Sequence, residues 1–224
     1  MSRLERAYSG ERAAVYDTVR SGKPIWESEQ SVLSPLILSS FKDGSTILDI
    51  AGGTGRWLDC YRQLNAKVIL LDASADMLRE AEAKFVANEL PVQLVTDDAV
   101  FGAPFPRADY AISTRFLNWI AFRKVDRVLA RVREAGIKKF VFSVRLVEGQ
   151  ASIVDRLKAR RRKWKRNYQR FTGRREKGYY FIHSEKRLLQ ALDRHGLKIE
   201  RRECMERLPG ETYDAIVVTV TKVE

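Results

Sequence analysis

The strongest constraint on the fold is a glycine-rich turn between two short apolar runs within residues 46–72. The first run reads TILDI, and the small residues AGGTG follow it directly. A helix-like segment comes next, and then a second apolar run, KVILLD, which ends at Asp72. This order predicts a strand, a glycine turn, a helix and a second strand. Such a sequence is one right-handed βαβ unit that opens on a nucleotide-type site.

The residues of this turn restrict the ligand. Glycines let the backbone turn tightly and let a ligand lie against the main chain and the helix N-terminus. Asp72, at the tip of the second strand, is placed to accept hydrogen bonds from both hydroxyls of a ribose. A dinucleotide fingerprint would need a third glycine where Leu58 stands. Asp49 would also put a second anion beside a pyrophosphate, whereas it suits a ligand that carries an ammonium group.

The segment Asp49-Ile50-Ala51-Gly52-Gly53-Thr54-Gly55 resembles the first motif, D/E-x-G-x-G-x-G, of the class I S-adenosylmethionine-dependent methyltransferases. Ala51 replaces the first glycine, a change that adds only a methyl group. The resemblance covers roughly residues 46–223. It implies an α/β, three-layer Rossmann-like fold with a seven-stranded, mostly parallel sheet and an antiparallel last strand. It also implies S-adenosylmethionine as cofactor. The implied cofactor residues are Asp49, Ala51, Gly52, Gly53, Gly55, Asp72, Ala73, Met77, Asp98 and Ala99.

An acidic pair, Asp97-Asp98, follows the third predicted strand. In the family that this chain resembles, a G-D-A-x-x-L-P-F pattern stands here, and its aspartate accepts a hydrogen bond from the adenine amino group. Asp98-Ala99 and Pro104-Phe105 match that pattern, which favours Asp98 over Asp97. The alternative is that both aspartates cap a turn.

The acceptor site is predicted from position. In open parallel sheets, ligands bind beyond the carboxyl ends of the strands, so the turn after the fourth strand and the end of the fifth should face the methyl group. Helices are predicted over residues 2–20 and roughly 28–41, with a break at 21–24 that ends in Pro24. In the family that the chain resembles, two such helices form a lid over the cofactor, and the alternative role of their aromatics is ordinary core packing. The predicted acceptor-site residues are Tyr16, Trp26, Arg115, Asn118, Trp119, Arg145, Arg160, Arg161 and Tyr179.

Two of the residues near this cleft are candidates for catalysis. Arg115 lies in the turn after the fourth predicted strand, and His183 is the histidine closest in sequence to the predicted cleft, beside Tyr179 and Tyr180. A general base is needed only when the acceptor must lose a proton. The alternative for His183 is a surface or capping residue ahead of the helix that begins after Ser184.

The net charge of +12 is concentrated in one segment. Residues 156–177 contain twelve lysines and arginines and one glutamate, which leaves about +1 for the other 202 residues. This segment predicts an anionic acceptor, such as a phosphorylated metabolite, a nucleotide-linked sugar, or a lipid or glycan precursor. One alternative is RNA, with Trp164, Tyr168 and Phe171 stacking on bases. Others are an anionic membrane surface and a catalytically silent protein that binds the cofactor only.

The chain is predicted to form one domain with four parts. These are lid helices (1–44), a cofactor-binding core (45–150), a basic helical insertion (151–183) and a C-terminal helix with an antiparallel strand pair (184–224). No run of 18 apolar residues and no signal-peptide core are found. Two cysteines far apart in sequence suggest free thiols in the cytoplasm, and no metal site is expected. The oligomeric state stays open.

Overall fold

The computed structural model describes residues 10–147, 157, 161, 180–209 and 211–220. The helices in this part of the chain are α1 (Glu11–Ala14), α2 (Tyr16–Arg20), α3 (Pro24–Ser40), α4 (Leu58–Gln63), α5 (Ala75–Ala87), α6 (Phe122–Glu134) and α7 (Glu185–Arg194). The strands are β1 (Thr46–Ile50), β2 (Lys67–Asp72), β3 (Val92–Thr96), β4 (Tyr110–Ser113), β5 (Lys139–Val147), β6 (His183–Ser184), β7 (Leu197–Leu208) and β8 (Glu211–Val220). A 3-10 turn covers Leu117–Trp119.

The strands form a single sheet in the order β3-β2-β1-β4-β5-β8-β7. The first five are parallel to one another, whereas β8 runs antiparallel to both β5 and β7. The predicted Rossmann-like fold is therefore confirmed. The sheet has eight strands where seven were predicted, because the two-residue β6 pairs in parallel with the end of β5. A two-residue strand has no periodic pattern that a sequence could reveal.

Alternating side chains of the strands build a core on each face of the sheet, which gives three layers. On one face, Leu48 and Ile50 pack with the buried sides of α6 and α7. On the other, Ile47 packs with α3, α4 and α5. The helix α3 is also tied to the far edge of the sheet, since Ser28 Oγ donates to the Met205 carbonyl oxygen at 2.7 Å. These two cores fix the carboxyl ends of β1, β2, β4 and β5 along one edge.

The N-terminal helices differ from the sequence prediction of helices over 2–20 and 28–41. Within the described residues, the first helix is split into α1 and α2 at Val15. The next helix, α3, begins at Pro24, four residues earlier than predicted. Proline is favoured in the first turn of a helix because its missing N–H would have no partner there. The sequence prediction treated Pro24 as a helix breaker, and it is the start of α3.

Most of the basic segment, including Arg160 and the neighbouring Tyr179, lies outside the described residues. Leu157 and Arg161 are described, both in helical conformation and both exposed. The predicted role of this segment and the predicted four-part division stay predictions. Across the part of the chain that the structure describes, no helix has the length and apolar character needed to cross a bilayer.

Candidate functional site

The glycine turn after β1 depends on three residues in the left-handed region. The φ values are +57° for Ala51, +59° for Gly53 and +70° for Gly55. A Cβ on Gly55 would lie 2.6 Å from the Phe85 ring. A Cβ on Gly52 would lie 2.7 Å from the Asp49 carboxyl group. The turn therefore packs tightly on its inner side and keeps its main chain free of side chains at these glycines.

At Ala51 the backbone is strained, an effect beyond the added methyl group that the sequence suggested. A non-glycine residue in the left-handed region is strained by about 1–2 kcal/mol. Glycine would relieve this strain and lose about 0.5–1 kcal/mol through the greater entropy of the unfolded chain. We therefore expect Ala51→Gly to raise the free energy of unfolding by about 0.5–1 kcal/mol in urea denaturation. An unchanged or lower stability would contradict the strain.

Asp72 holds the turn from the end of β2. Its Oδ2 accepts from the Gly53 amide at 3.0 Å, and its Oδ1 accepts from the Ser74 amide at 2.8 Å. Burial raises the pKa of this carboxyl group, although the backbone hydrogen bonds act in the opposite direction. Each carboxylate oxygen has two lone pairs, so both can still accept from a ribose hydroxyl. The carboxylate is thus fixed at the tip of β2, as the sequence predicted.

Asp49 lies behind the turn and is 1% exposed. Its Oδ2 accepts from the Tyr61 hydroxyl at 2.7 Å. Burial raises the pKa of Asp49 from 3.8 to about 7, against the lowering effect of the Tyr61 hydrogen bond, and the charge of Asp72 raises it further. Two neighbouring carboxyl groups that resist ionisation favour a cationic ligand, because a positive charge between them would stabilise both anions.

The raised pKa of Asp49 predicts a pH dependence of stability. The unfolded chain gives up this proton near pH 4 and the folded chain near pH 7, so the contribution of Asp49 to stability falls as the pH rises between these values. Asp49→Asn removes this loss. From pH 5 to pH 8, the free energy of unfolding of Asp49→Asn should rise by about 1 kcal/mol or more relative to the unsubstituted protein. Urea denaturation at each pH measures it, with the exposed Asp59→Asn as a control, and a constant difference would disprove it.

The predicted adenine side of the site is a loop after β3. Asp98 Oδ1 accepts from the Val100 and Phe101 amides at 2.6 and 3.0 Å. Asp97 accepts from the Asp98 and Ala103 amides at 2.7 and 2.8 Å. Both aspartates therefore cap the turn, which was the alternative interpretation. Both bonds of Asp98 use Oδ1, so its predicted contact to adenine stays a prediction that would use Oδ2.

Arg131, which the sequence did not suggest, supports this loop. It is buried in α6 and donates to the carbonyl oxygens of Asp98, at 3.0 Å, and Ala103. Its guanidinium also lies 4.0 Å from the centre of the Phe105 ring. Ala99 is buried in this loop, and Met77 lies over the turn, with its methyl carbon 3.1 Å from a Cβ built on Gly53. Ala73 follows Asp72 and is half-buried.

The N-terminal helices are fastened to the glycine turn. Asp17 in α2 accepts from the Thr54 hydroxyl at 2.8 Å and forms an ion pair with Lys84 of α5. The Gly10 amide donates to Asp76 at 2.6 Å. These contacts place α1 and α2 beside the turn, where the lid was predicted. The predicted lid residue Tyr16 is half-buried, with the Arg20 guanidinium 4.4 Å from its ring centre.

The end of β4 carries a buried ionic cluster around Glu29, which is 0% exposed. The Nε of Arg115 lies 3.1 Å from Oε1 of Glu29, and Arg56 pairs with Oε2. The two guanidiniums lie 5.6 and 3.6 Å from the centre of the Trp26 ring. Two predicted acceptor residues, Arg115 and Trp26, are thereby brought together. Glu29 and Arg56 were not among the site residues predicted from the sequence.

Asn118 and Arg145 are also brought to this edge, but their polar groups are engaged within the protein. The Asn118 side chain accepts from the Arg145 amide at 2.7 Å. The Arg145 guanidinium lies 4.6 and 4.5 Å from the Tyr180 and Tyr213 rings and pairs with Glu206 at 2.7 Å. Trp119 is half-buried in the 3-10 turn. Asn118 supports the site through the backbone, so its predicted contact to the acceptor is not favoured.

His183 has the surroundings of a structural residue. It is 3% exposed, its Nε2 lies 2.9 Å from the Leu117 carbonyl oxygen, and its ring stacks near Phe181. A carbonyl oxygen only accepts, so Nε2 carries the proton in this bond. Burial lowers the pKa of His183. These contacts join β6 to the 3-10 turn, and they do not favour the general-base role predicted for His183.

The donor and acceptor groups of this edge fit S-adenosylmethionine. Asp72 presents an anchored carboxylate for ribose hydroxyls, and Asp49 is a buried carboxyl group that a cation would stabilise. A Cβ on Gly52 would come too close to Asp49, so this position presents main chain and not a side chain to a ligand. Among the described residues, no three His, Cys, Asp or Glu side chains gather as metal ligands would.

Comparison with known proteins agrees with this architecture. Residues 47–136 match the family model described as a methyltransferase domain. The predicted resemblance to the class I S-adenosylmethionine-dependent methyltransferases is confirmed by this match and by the fold. The matched segment runs from β1 to the end of α6, so it contains the glycine turn, Asp49, Asp72 and Asp98.

One curated relative and two solved structures illustrate the likeness. The chain is 32% identical over 100 residues to dTDP-4-amino-2,3,4,6-tetradeoxy-D-glucose N,N-dimethyltransferase of Saccharopolyspora spinosa, a match that covers 44% of this chain and 39% of that protein. Magnesium protoporphyrin IX methyltransferase of Synechocystis PCC 6803, solved with S-adenosylhomocysteine, superposes with a TM-score of 0.72 at 14% identity, over 97% of this chain and 98% of that one. Geranyl diphosphate C-methyltransferase of Streptomyces coelicolor A3(2) gives 0.64 at 12% identity, over 86% and 79%. At these identities, the two structures share the fold.

Proposed function

We propose that the protein is an S-adenosylmethionine-dependent methyltransferase that acts on an anionic small molecule. The observation that carries this proposal is Asp72, anchored at the tip of β2 by the Gly53 and Ser74 amides, beside a buried Asp49. A methyltransferase domain model also matches this region. When bound, S-adenosylmethionine would supply a methyl group on a sulfonium, a leaving group that needs no protonation.

The work of the protein is then mainly binding and alignment. Asp72 would hold the ribose hydroxyls, and Asp49, raised in pKa by burial, would become anionic beside the ammonium group of the amino-acid part. The strand order reverses between β1 and β4. This is the point where ligands bind in open α/β sheets, so Arg115 at the end of β4 faces the acceptor in this proposal.

The anionic acceptor class is supported by charge and by relatives. Arg115 and Arg56 bring two guanidiniums to the acceptor side, and residues 156–177 carry most of the net charge. The relative from Saccharopolyspora spinosa is named for a dTDP-linked amino sugar, and one structural neighbour for geranyl diphosphate. Both names describe acceptors with a diphosphate group. A nucleotide-linked amino sugar is therefore the first acceptor to test.

The experiment supplies methyl-labelled S-adenosylmethionine and separate pools of small metabolites, lipids and RNA. We expect the label in the anionic fraction of the small metabolites, and transfer to a dTDP-linked amino sugar would identify the class directly. Label in RNA alone would instead support the RNA methyltransferase that the basic segment allows. Tight binding of S-adenosylmethionine with no label in any pool would support the alternative of a catalytically silent protein that only binds the cofactor.

A further inference from the structure

The ionic cluster at the end of β4 has an excess of positive charge. Two guanidiniums, from Arg56 and Arg115, share the single carboxylate of Glu29. Their side chains are only 8% and 20% exposed. The hydroxyl groups beside them, on Ser143 and Tyr213, lie 2.9 Å apart and are neutral, since burial and the charge of Glu29 raise the pKa of Tyr213. The cluster therefore has a net charge of about +1 in a largely buried place.

Two N–H groups of this cluster lack partners. Within the described part of the chain, Arg56 Nε and Arg115 Nη1 are buried and have no hydrogen-bond partner. A buried polar group without a partner costs about 1–3 kcal/mol, and more when it is charged. Burial lowers the pKa of Arg56, although Glu29 opposes this effect. A second anion would supply acceptors for these two N–H groups, which the ion pairs with Glu29 leave unsatisfied.

The position of the cluster points to the acceptor. Arg115 is held in the left-handed region, at φ +63°, and its amide donates to Ser143 Oγ at 2.7 Å. Strained residues of this kind are often fixed at functional sites. Arg56 directly follows Gly55 of the cofactor turn. The Trp26 ring lies against both guanidiniums and covers them from the lid side.

We propose that Arg56 and Arg115 bind the phosphate or carboxylate group of the acceptor, and that Glu29 occupies the same guanidiniums when no acceptor is present. The proposal rests on the proposed function for the identity of the ligand. Paired guanidiniums recognise planar or tetrahedral oxyanions through bidentate hydrogen bonds. Glu29 then has two effects: it orders the arginines, and it competes with the incoming anion.

This competition gives two substitutions opposite effects on anion binding. Inorganic pyrophosphate is titrated calorimetrically into the full chain saturated with S-adenosylhomocysteine. Arg115→Gln should weaken pyrophosphate binding tenfold or more, because it removes one of the two guanidinium groups. Glu29→Gln should strengthen pyrophosphate binding about fivefold, because it frees both guanidiniums. Arg123→Gln, an exposed arginine on α6, makes the same charge change as Arg115→Gln and should leave the affinity within about twofold.

A merely structural cluster would respond differently. In that case Glu29→Gln would lower stability without any gain in pyrophosphate affinity, and the proposal would be wrong. It would also be wrong if pyrophosphate did not bind the unsubstituted protein. If Glu29→Gln does not fold, Arg115→Lys serves as the second variant, because it retains the charge and removes the guanidinium group. A pyrophosphate affinity equal to that of the unsubstituted protein would then overturn the proposed bidentate binding by Arg115.

The cofactor offers a second source of the same chemistry. If Arg115→Gln weakens S-adenosylhomocysteine tenfold but leaves 5′-methylthioadenosine unchanged, the anion is the cofactor carboxylate and the acceptor assignment is wrong. We expect both affinities to stay within twofold. Failure of the unsubstituted protein to bind S-adenosylhomocysteine would refute the proposed function instead, and pyrophosphate titration without the cofactor would still test the arginine pair.

Discussion

Replacing Asp72 by alanine should lower the affinity for S-adenosylmethionine at least a hundredfold. The complex would lose two charge-assisted hydrogen bonds between the carboxylate and the ribose, which together contribute about 3 kcal/mol or more. A hundredfold loss of affinity corresponds to about 2.7 kcal/mol. The substitution also removes the acceptors of the Gly53 and Ser74 amides, so the turn itself loses two anchors. Calorimetric titration measures the affinity, and circular dichroism verifies that the sheet is intact.

Two controls separate ribose binding from the order of the turn. Asp59→Ala removes an exposed carboxylate from α4, paired only weakly with Arg62 at 3.3 Å, and should leave the affinity unchanged. Asp72→Asn keeps a carbonyl acceptor for one amide but loses the charge, and we expect an intermediate affinity. If Asp72→Ala binds S-adenosylmethionine as the unsubstituted protein does, the assignment of the ribose site is wrong. Measurable binding of NAD would revive the dinucleotide interpretation.

The placement of the glycine turn and of its two aspartates could be predicted because its determinants are local in sequence. A glycine turn between two apolar runs fixes strand, turn and helix within about 25 residues, and parallel pairing then brings Asp49 and Asp72 to one edge. The same pattern does not specify the hydrogen bonds around an aspartate. Asp97 and Asp98 both cap their loop, which a motif match to a single aspartate does not convey.

The ionic cluster was missed because it joins residues that are distant in sequence. Glu29, Arg56 and Arg115 come from a helix, a turn and a strand end, and only the packing of α3 on the sheet brings them together. A signal was nevertheless present in α3. The buried positions of this helix are Glu29, Leu33, Leu36, Ile37 and Ser40, so Glu29 lies on the apolar face. A glutamate at such a position needs a buried cation as partner.

His183 shows how a neighbourhood in sequence can differ from one in the fold. Its proximity in sequence to Tyr179 and Tyr180 suggested a residue of the cleft, whereas β6 is paired with β5 and directs the ring into the core beside Leu117 and Phe122. A two-residue strand decides this orientation, and hydrophobic periodicity cannot detect it. The proposed transfer therefore depends on binding and alignment by Asp49, Asp72 and Arg115.

The charge of residues 156–177 suggests a role in recruiting the acceptor. Twelve cations within 22 residues repel one another, so this density does not stabilise a fold. A surface that serves solubility alone normally mixes both signs. The segment follows β5 in sequence, and β5 ends at the same edge as the cluster of Arg56 and Arg115. In this hypothesis, the charge of the segment attracts a negatively charged acceptor before it reaches the arginine pair.

Replacing Arg160, Arg161, Arg162 and Lys163 by glutamine should therefore lower kcat/KM for the acceptor tenfold or more and leave cofactor affinity nearly unchanged. Raising the salt from about 50 to 200 mM should reduce the advantage of the unsubstituted protein, steeply for RNA and gently for a small anion, because a polymer releases many counterions. A matched control makes the same change at four exposed cations elsewhere, Lys42, Arg62, Lys67 and Lys198. If the first variant methylates its acceptor at the unsubstituted rate at low salt, residues 160–163 do not recruit the acceptor, because removing four charges from a steering surface must slow the encounter. If both variants slow equally, overall charge is responsible and the segment has no special position.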